Sequence, residues 1–355
     1  MEINDKGELF AVVPLPQNQK LLFTDNAFWK DKYTEIILEL LASYFENISS
    51  PVFQCHNLFL SNLAMGLKNR FGGKAVLHLH CLPWKYKLNE DKIQFNELYR
   101  LYEERDFEAF KEKEKSTLPY SQFDNIICLS EAAKDYLVNI HQVDGGKINI
   151  IHNGLEFVPL YPLQREDKEE AEILYVGKIS KDKGTFELLD VLKKVNEKGY
   201  DFKLIIAGSC SKKLMNQIKN DYAGLNIDYK GQISYEELKA LYATCSFGVI
   251  PSLHEQCSYV AIEMAMYGLP MIVSKVDALA EMFEQGGTVL FVPLVFDPDF
   301  GIEMDKAIFA NHVIRLIEDK ELRKHLGENV RKCYENCFTL DLMIRNTLNF
   351  YNQII

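Results

Sequence analysis

Pro251-Ser252-Leu253-His254-Glu255-Gln256-Cys257-Ser258-Tyr259-Val260-Ala261-Ile262-Glu263-Met264-Ala265 places two glutamates, Glu255 and Glu263, either side of seven residues. The stretch reads as the end of a strand (Phe247 to Ile250), a short loop, and a helix opening near Ser258. Glu263 then lies one to two turns inside that helix, and Glu255 on the loop before it. The backbone N–H groups between them, at a helix N-terminus, make a ready site for a phosphate. A carboxylate on each side accepts hydrogen bonds from sugar hydroxyls. The ligand class that fits all three features is a sugar joined to a nucleotide through a diphosphate.

Outward from this stretch, short apolar runs alternate with helical patterns. Lys74 to Cys81, Asn125 to Leu129, Lys147 to His152, Ala171 to Gly177, Phe202 to Gly208, Met271 to Ser274 and Val289 to Val292 read as buried strands. Leu58 to Phe71, Glu131 to Val138, Gly184 to Lys198, Tyr235 to Thr244 and Lys306 to Asp319 read as amphipathic helices. Such alternation predicts parallel sheets covered on both faces. After Ile148 to Gly154 the chain turns polar and proline-bearing (Pro159, Pro162, 164–172), as a linker does. We therefore expect two Rossmann-like domains facing a central cleft, residues 1–160 and 161–338, with 339–355 returning to the first. Ligands of such sheets lie beyond the carboxyl ends of the strands.

Composition narrows the classes. The 355 residues are 47% hydrophobic and 26% charged, ordinary for a globular chain. A net charge of −11 argues against nucleic acid as a partner, which demands clustered Lys and Arg. There is no apolar run of membrane-spanning length, and Met1 to Lys6 does not read as a signal peptide, so no integral membrane segment is expected. Several of the eight cysteines sit in apolar runs (Cys128 in Ile126 to Leu129), as free buried thiols do. Together these favour a reducing cytoplasm. Cys333 and Cys337 have no second Cys or His pair beside them to complete a zinc site.

Tyr175-Val176-Gly177-Lys178-Ile179-Ser180-Lys181-Asp182-Lys183-Gly184 reads as strand, loop and helix. Gly177 permits a close turn, and Lys178 and Lys183 put two cations where a strand ends and a helix begins. A clamp on two phosphates is one reading; a solvated lysine-rich loop is the other.

With these residues in place, the second half resembles the nucleotide-binding lobe of retaining glycosyltransferases of family 4, which have the GT-B architecture. The landmarks run in order: Val176-Gly177-Lys178 and Lys183-Gly184; Ile205-Ile206-Ala207-Gly208; Gly231-Gln232-Ile233-Ser234 before a helix ending in Leu241-Tyr242; the two glutamates; Glu263 to Pro270; and Phe338-Thr339-Leu340 before a last helix to Tyr351. The likeness covers residues 125–355. It implies that Lys178 and Lys183 contact the diphosphate, Glu263 holds the ribose and Glu255 the donor sugar. By the same resemblance the amides of Tyr259 and Val260 would reach the distal phosphate, Ser258 would cap their helix where the donor approaches, Ile233 would lie beside the base, and Gly177 and Gly208 would line the nucleotide site. It further implies retention of anomeric configuration, no obligatory metal or other cofactor, and a UDP-sugar in preference to a GDP-sugar. This chain departs from the pattern in having Lys178 where the family usually has Arg, and Cys257-Ser258 where it has Phe-Gly. Lysine lacks the two-pronged grip of arginine on phosphate.

In the first half, Ala75 to Trp84 reads as a strand that carries two histidines, His78 and His80. His80, at its end, resembles the family histidine near the transferred sugar; there it could bond a hydroxyl or stabilise developing charge. A satisfied core histidine is the plain alternative, and the more natural one for His78. Gln54 to Asn57 ends a strand, and Ser130-Glu131 caps a helix. Residues 85–118, charged with interspersed aromatics, read as a packed helix or an acceptor-specific insertion. Glu8 to Pro14 and Lys20 to Thr24 read as short strands without the family's glycine-rich loop. Asp297-Pro298-Asp299 spells a metal-binding Asp-x-Asp but reads as a turn.

The sequence thus points to transfer of a sugar from a nucleotide-diphosphate donor to an acceptor glycan, small molecule or peptide. Two alternatives keep the fold: a non-catalytic partner that binds nucleotide sugar or acceptor, and a sugar-nucleotide epimerase. A nicotinamide enzyme is disfavoured, because no Gly-x-Gly-x-x-Gly follows a strand.

Overall fold

The computed structural model describes residues 2–3, 9–10, 27–45, 48–56, 58–116, 118–157, 168–297 and 301–355. The 160/161 division and the expected linker up to residue 167 fall on 158–167, and Pro298-Asp299 on 298–300, outside the described residues; the end of that linker, 168–172, is described and runs into the strand Ala171–Val176. Glu8, 11–14 and 20–24 of the expected N-terminal strands also fall outside the described residues; Leu9–Phe10 is a strand paired with Glu2–Ile3.

By compactness the chain forms two units: Met1–Leu79 with Leu118–Ile126, and His80–Thr117 with Ile127–Ile355. In the first unit the strands Val52–Cys55 and Lys74–Leu79 pair in parallel, Val52 opposite Lys74 and Cys55 opposite Leu77. The start of Asn125–Cys128 lies beside Lys74–Leu79. Asp124 ties that edge: its carboxylate accepts from Ala75 N–H and from Lys68, both at 2.8 Å. Two helices, Ala27–Phe45 and Ser61–Phe71, pack on each other.

The second unit is built on a six-stranded sheet. Its order is Leu290–Val292, Met271–Ser274, Phe247–Ile250, Ala171–Val176, Phe202–Ala207, Asn226–Gly231, and all its pairings are parallel. The inner strands are the apolar runs of the sequence: Ile173, Leu174, Val249, Ile272 and Val273 are all within 1% of full burial. Strands sandwiched between helices have no solvent face, which is why these runs do not alternate. Helices between the strands end in polar caps. Ser234 and Glu237 form a reciprocal capping box at Tyr235–Thr244, and Ser258 Oγ caps Tyr259–Met266 by accepting from Ala261 N–H at 3.3 Å. Each satisfies N–H groups that a helix leaves unbonded.

Chain direction along the sheet reverses between Ala171–Val176 and Phe247–Ile250: one continues to Phe202–Ala207 on its side, the other to Met271–Ser274 on the opposite side. Loops leaving the two strands therefore part, and a crevice opens at their carboxyl ends.

The unit also holds residues 83–114, as a 3₁₀ turn Pro83–Tyr86 and helices Lys87–Glu90, Lys92–Glu103 and Phe107–Glu114. The single packed helix expected over 85–118 is thus three, broken by the Asp91 and Asp106 caps. Their aromatics form one cluster: Trp84 stacks on Phe95 at 5.6 Å and meets Phe110 edge-on at 5.4 Å. The final helix, Leu340–Ile354, begins where Leu155 and Leu340 exchange backbone bonds with Phe338 and Leu155. Among the described residues, no helix is long and apolar enough to cross a membrane.

Candidate functional site

The crevice holds a pocket of about 140 Å³. Tyr175, Val176 and Gly177 enter it from one strand end, and Ile250, Pro251 and Ser252 from the neighbouring one. Lys183, Glu255, Ser258, Tyr259 and Val260 complete the wall. Sequence reading had singled out Gly177, Lys183, Glu255, Ser258, Tyr259 and Val260, and these six meet here.

Backbone packing sets the geometry. Gly184 takes a left-handed φ of 63° at the head of the helix Thr185–Glu197, and a Cβ there would lie 1.7 Å from the Pro251 carbonyl oxygen. Only glycine lets the lysine loop rest on the Pro251 backbone. Leu253 N–H donates to Asp182 C=O at 2.8 Å, binding the two loops again. Lys183 consequently reaches Glu255, Nζ to Oε1 2.6 Å, with the carboxylate side chain only 14% exposed. At the helix head Ser258 caps Ala261, while the Tyr259 and Val260 amides precede the first intrahelical acceptor. The pocket thus offers a cation, an acceptor and oriented N–H dipoles side by side.

The other predicted residues lie outside the pocket wall. Gly208 is at the end of the adjacent strand; a Cβ on it would fall 1.9 Å from Gly177 C=O, so its role is to let the two strand ends approach. Lys178 is exposed, and its carbonyl accepts from Tyr175 O–H at 2.9 Å. Ile233 is half-buried just ahead of the Ser234 cap. His80 is exposed, immediately past the strand Lys74–Leu79. Glu263 lies deeper in its helix, where its carboxylate accepts from Tyr242 O–H at 2.7 Å. Burial raises the Glu263 pKa, opposed by that hydrogen bond. Cys257, buried beneath the loop, has its thiol pushed up to about 11 by burial.

Tyr175, His254, Lys85 and Asp277 are not legible in the sequence. Tyr175 lines the pocket and also bonds Thr185 Oγ1 at 2.9 Å; inside an apolar run it looks like core. His254 is held below its ordinary pKa first by burial and then by Lys85, with Lys183 adding to this and Glu255 and Asp277 opposing. Lys85 and Asp277 form a buried pair, 192 positions apart in sequence, for which no local signal exists.

The description "Glycosyltransferase Family 4" matches residues 37–157, and "Glycosyl transferases group 1" matches residues 163–333. An uncharacterised glycosyltransferase of Methanocaldococcus jannaschii is 28% identical over 235 residues, 65% of this chain and 60% of that protein. The capsular polysaccharide biosynthesis glycosyltransferase CapM of Staphylococcus aureus is 29% identical over 249 residues, 65% of this chain and 62% of CapM. The match therefore spans less than two thirds of these relatives' length. Sucrose-phosphate synthase from Thermosynechococcus elongatus superposes with a TM-score of 0.71 at 22% identity, over 96% of this chain and 80% of that one. Anabaena HepE, solved with UDP and glucose, superposes with a TM-score of 0.65 at 14% identity, over 90% and 81%.

Parallel sheets in two domains and these neighbours make the fold GT-B. The chain belongs to the family 4 glycosyltransferases, with a group 1 domain as its second half.

Proposed function

We propose that the protein transfers a sugar from a nucleotide-diphosphate sugar to an acceptor, with retention at the anomeric carbon. The observation that carries this is the Lys183–Glu255 pair beside the head of the Tyr259–Met266 helix, at the reversal point of the sheet. A diphosphate leaving group develops negative charge. Lys183 and the Tyr259 and Val260 amides supply positive potential at one place, fixed before the reaction. Glu255, already oriented by Lys183, accepts hydrogen bonds from the hydroxyls of the transferred sugar. The pocket volume suits a phosphate or sugar ring rather than a whole ligand. Glu263 and the Ile233 region, further along the same lobe, are assigned to the ribose and base.

Retention follows in this reading from attack on the face the diphosphate leaves, with the leaving phosphate taking the acceptor proton. Lysine and helix amides do the neutralising, so no metal is required. HepE, solved with UDP and glucose, supports a UDP-sugar as donor. The acceptor class stays at glycan, small molecule or peptide.

A donor screen tests the reading: UDP-, GDP-, ADP- and dTDP-glucose against the purified protein, by melting temperature and by release of the nucleotide diphosphate. A raised melting temperature with one base, and product release that Glu255→Ala abolishes, is expected. Binding without turnover in either form would make the chain a binding partner rather than an enzyme.

A further inference from the structure

Lys85 and Asp277 do not line the donor pocket. Lys85 Nζ is 3.1 Å from Asp277 Oδ1, and the two side chains are 4% and 10% exposed. The ammonium also sits 4.1 Å from the centroid of the Trp84 ring and 5.6 Å from that of Tyr99. Asp277 carries a left-handed φ of 33°, uncommon for a residue with a side chain. Its second oxygen, Oδ2, is buried with no hydrogen-bond partner among the described residues. Three unfavourable terms coincide: two charges taken from water, a strained backbone and an orphaned acceptor. A fold has easier ways to fill that space, since apolar residues of similar size replace buried ion pairs at little cost or with gain. Strain retained in this way concentrates at sites whose geometry matters.

What the pair borders gives it a role. Asp277 follows the strand Met271–Ser274 by three residues, and Ser274 Oγ donates to Ser252 C=O on the loop that leads to Glu255. His254, next to Glu255, feels Lys85 more strongly than any other charge. On its far side the same loop is held by Asp182 C=O through Leu253 N–H. The loop is thus gripped from two directions, by the lysine loop on one side and by the Ser274–Asp277 corner on the other. Lys85 fastens that corner to the aromatic cluster of residues 84–110.

We infer that Lys85 and Asp277 are positioning residues for Glu255: the buried pair locks the Trp84–Tyr99 segment onto the Ser274–Asp277 corner and holds the 251–255 loop so that the carboxylate faces the pocket. This rests on the donor-site reading above. It assigns the pair to recognition of the transferred sugar and not of the nucleotide, because Glu255 faces the sugar. Lys85 acts through other residues and touches no reacting atom.

Lys85→Met alone strands the Asp277 carboxylate and is a poor probe. The paired variant Lys85→Met/Asp277→Gly removes both charges and suits the left-handed φ, so it is the informative one. Calorimetric titration compares a nucleotide diphosphate with its glucose conjugate, using whichever of UDP, GDP, ADP or dTDP the wild type binds best. The expected result is a folded variant with unchanged nucleotide diphosphate affinity and a preference for the glucose conjugate reduced by about tenfold, the scale of one lost charge-assisted hydrogen bond. Lys85→Arg, which keeps the charge, restores part of the preference. A paired variant that keeps the full preference overturns the positioning role, and one that unfolds reduces the pair to a structural staple and overturns it equally. Wild type that binds none of the glucose conjugates overturns the donor-site reading beneath it, a result distinguishable from both.

Discussion

Lys183 and Glu255, 72 positions apart in sequence, meet at 2.6 Å on the rim of a helix N-terminus. Gly184 and the Leu253–Asp182 backbone bond make that meeting possible. Each group serves the other: the lysine orients the carboxylate, and the carboxylate keeps the lysine extended toward the pocket.

Lys183→Met is therefore expected to lower kcat/KM by about 10²–10³-fold, the usual effect of removing one preorganised donor from a developing negative charge. Steady-state transfer assays at saturating acceptor check this. A loss below about tenfold would mean that Lys183 does not face the departing diphosphate.

Gly184→Ala should damage both fold and site. The left-handed φ of 63° and the 1.7 Å approach to Pro251 C=O leave no room for a methyl group. Destabilisation of about 1–3 kcal/mol or more is expected from the strained conformation, read as a lowered denaturant midpoint. Lost donor binding should accompany it.

Glu263 offers a trade between stability and function. Burial holds its pKa above the ordinary 4.5, so the folded state binds more protons than the unfolded chain, and stability from this group is lost as pH rises through the folded value. Glu263→Gln stays neutral and still accepts from Tyr242 O–H. It should match or exceed wild type in thermal stability at pH 7, while donor affinity falls by about tenfold if the carboxylate holds the ribose. A variant less stable than wild type would contradict the burial argument.

His254 gives the opposite pH dependence. Its folded pKa lies below its ordinary 6.5, mainly through burial and the nearby Lys85. Between the folded value and 6.5 the unfolded chain binds more protons, so this stability is complete above 6.5 and drains away as pH falls from there through the folded value. His312, also depressed by burial, adds to the same slope. His254→Gln should flatten part of the melting-temperature decline between about pH 7 and pH 5.

How much of this the sequence revealed depends on whether a residue's role is local. The strands Ala171–Val176, Phe202–Ala207, Phe247–Ile250 and Met271–Ser274 stand out as apolar runs because both faces are covered. Asn226–Gly231 escaped notice: as the last strand of the sheet, its Asn-Ile-Asp-Tyr-Lys-Gly run is half-exposed and polar. The helix Lys212–Asp221 buries only Met215 and Ile218 and shows too thin a stripe. The pocket was legible through Glu255 and Ser258, since a strand end, a loop and a capped helix lie within fifteen residues. The Tyr242–Glu263 bond and the Lys85–Asp277 pair were not, because both arise where separate helices and loops pack. The place of residues 83–114 beside the group 1 domain likewise depends on burying the Trp84 cluster and Lys85 together, which no pattern along the chain records.

The measurement that bears most directly on the central claim is titration calorimetry of wild type and Glu255→Ala with a nucleotide diphosphate and its sugar conjugate. Wild type is expected to bind the conjugate more tightly than the bare nucleotide, and Glu255→Ala to erase the difference while leaving nucleotide affinity in place. Equal affinity for the two ligands in wild type, or a difference that survives loss of the carboxylate, would contradict it.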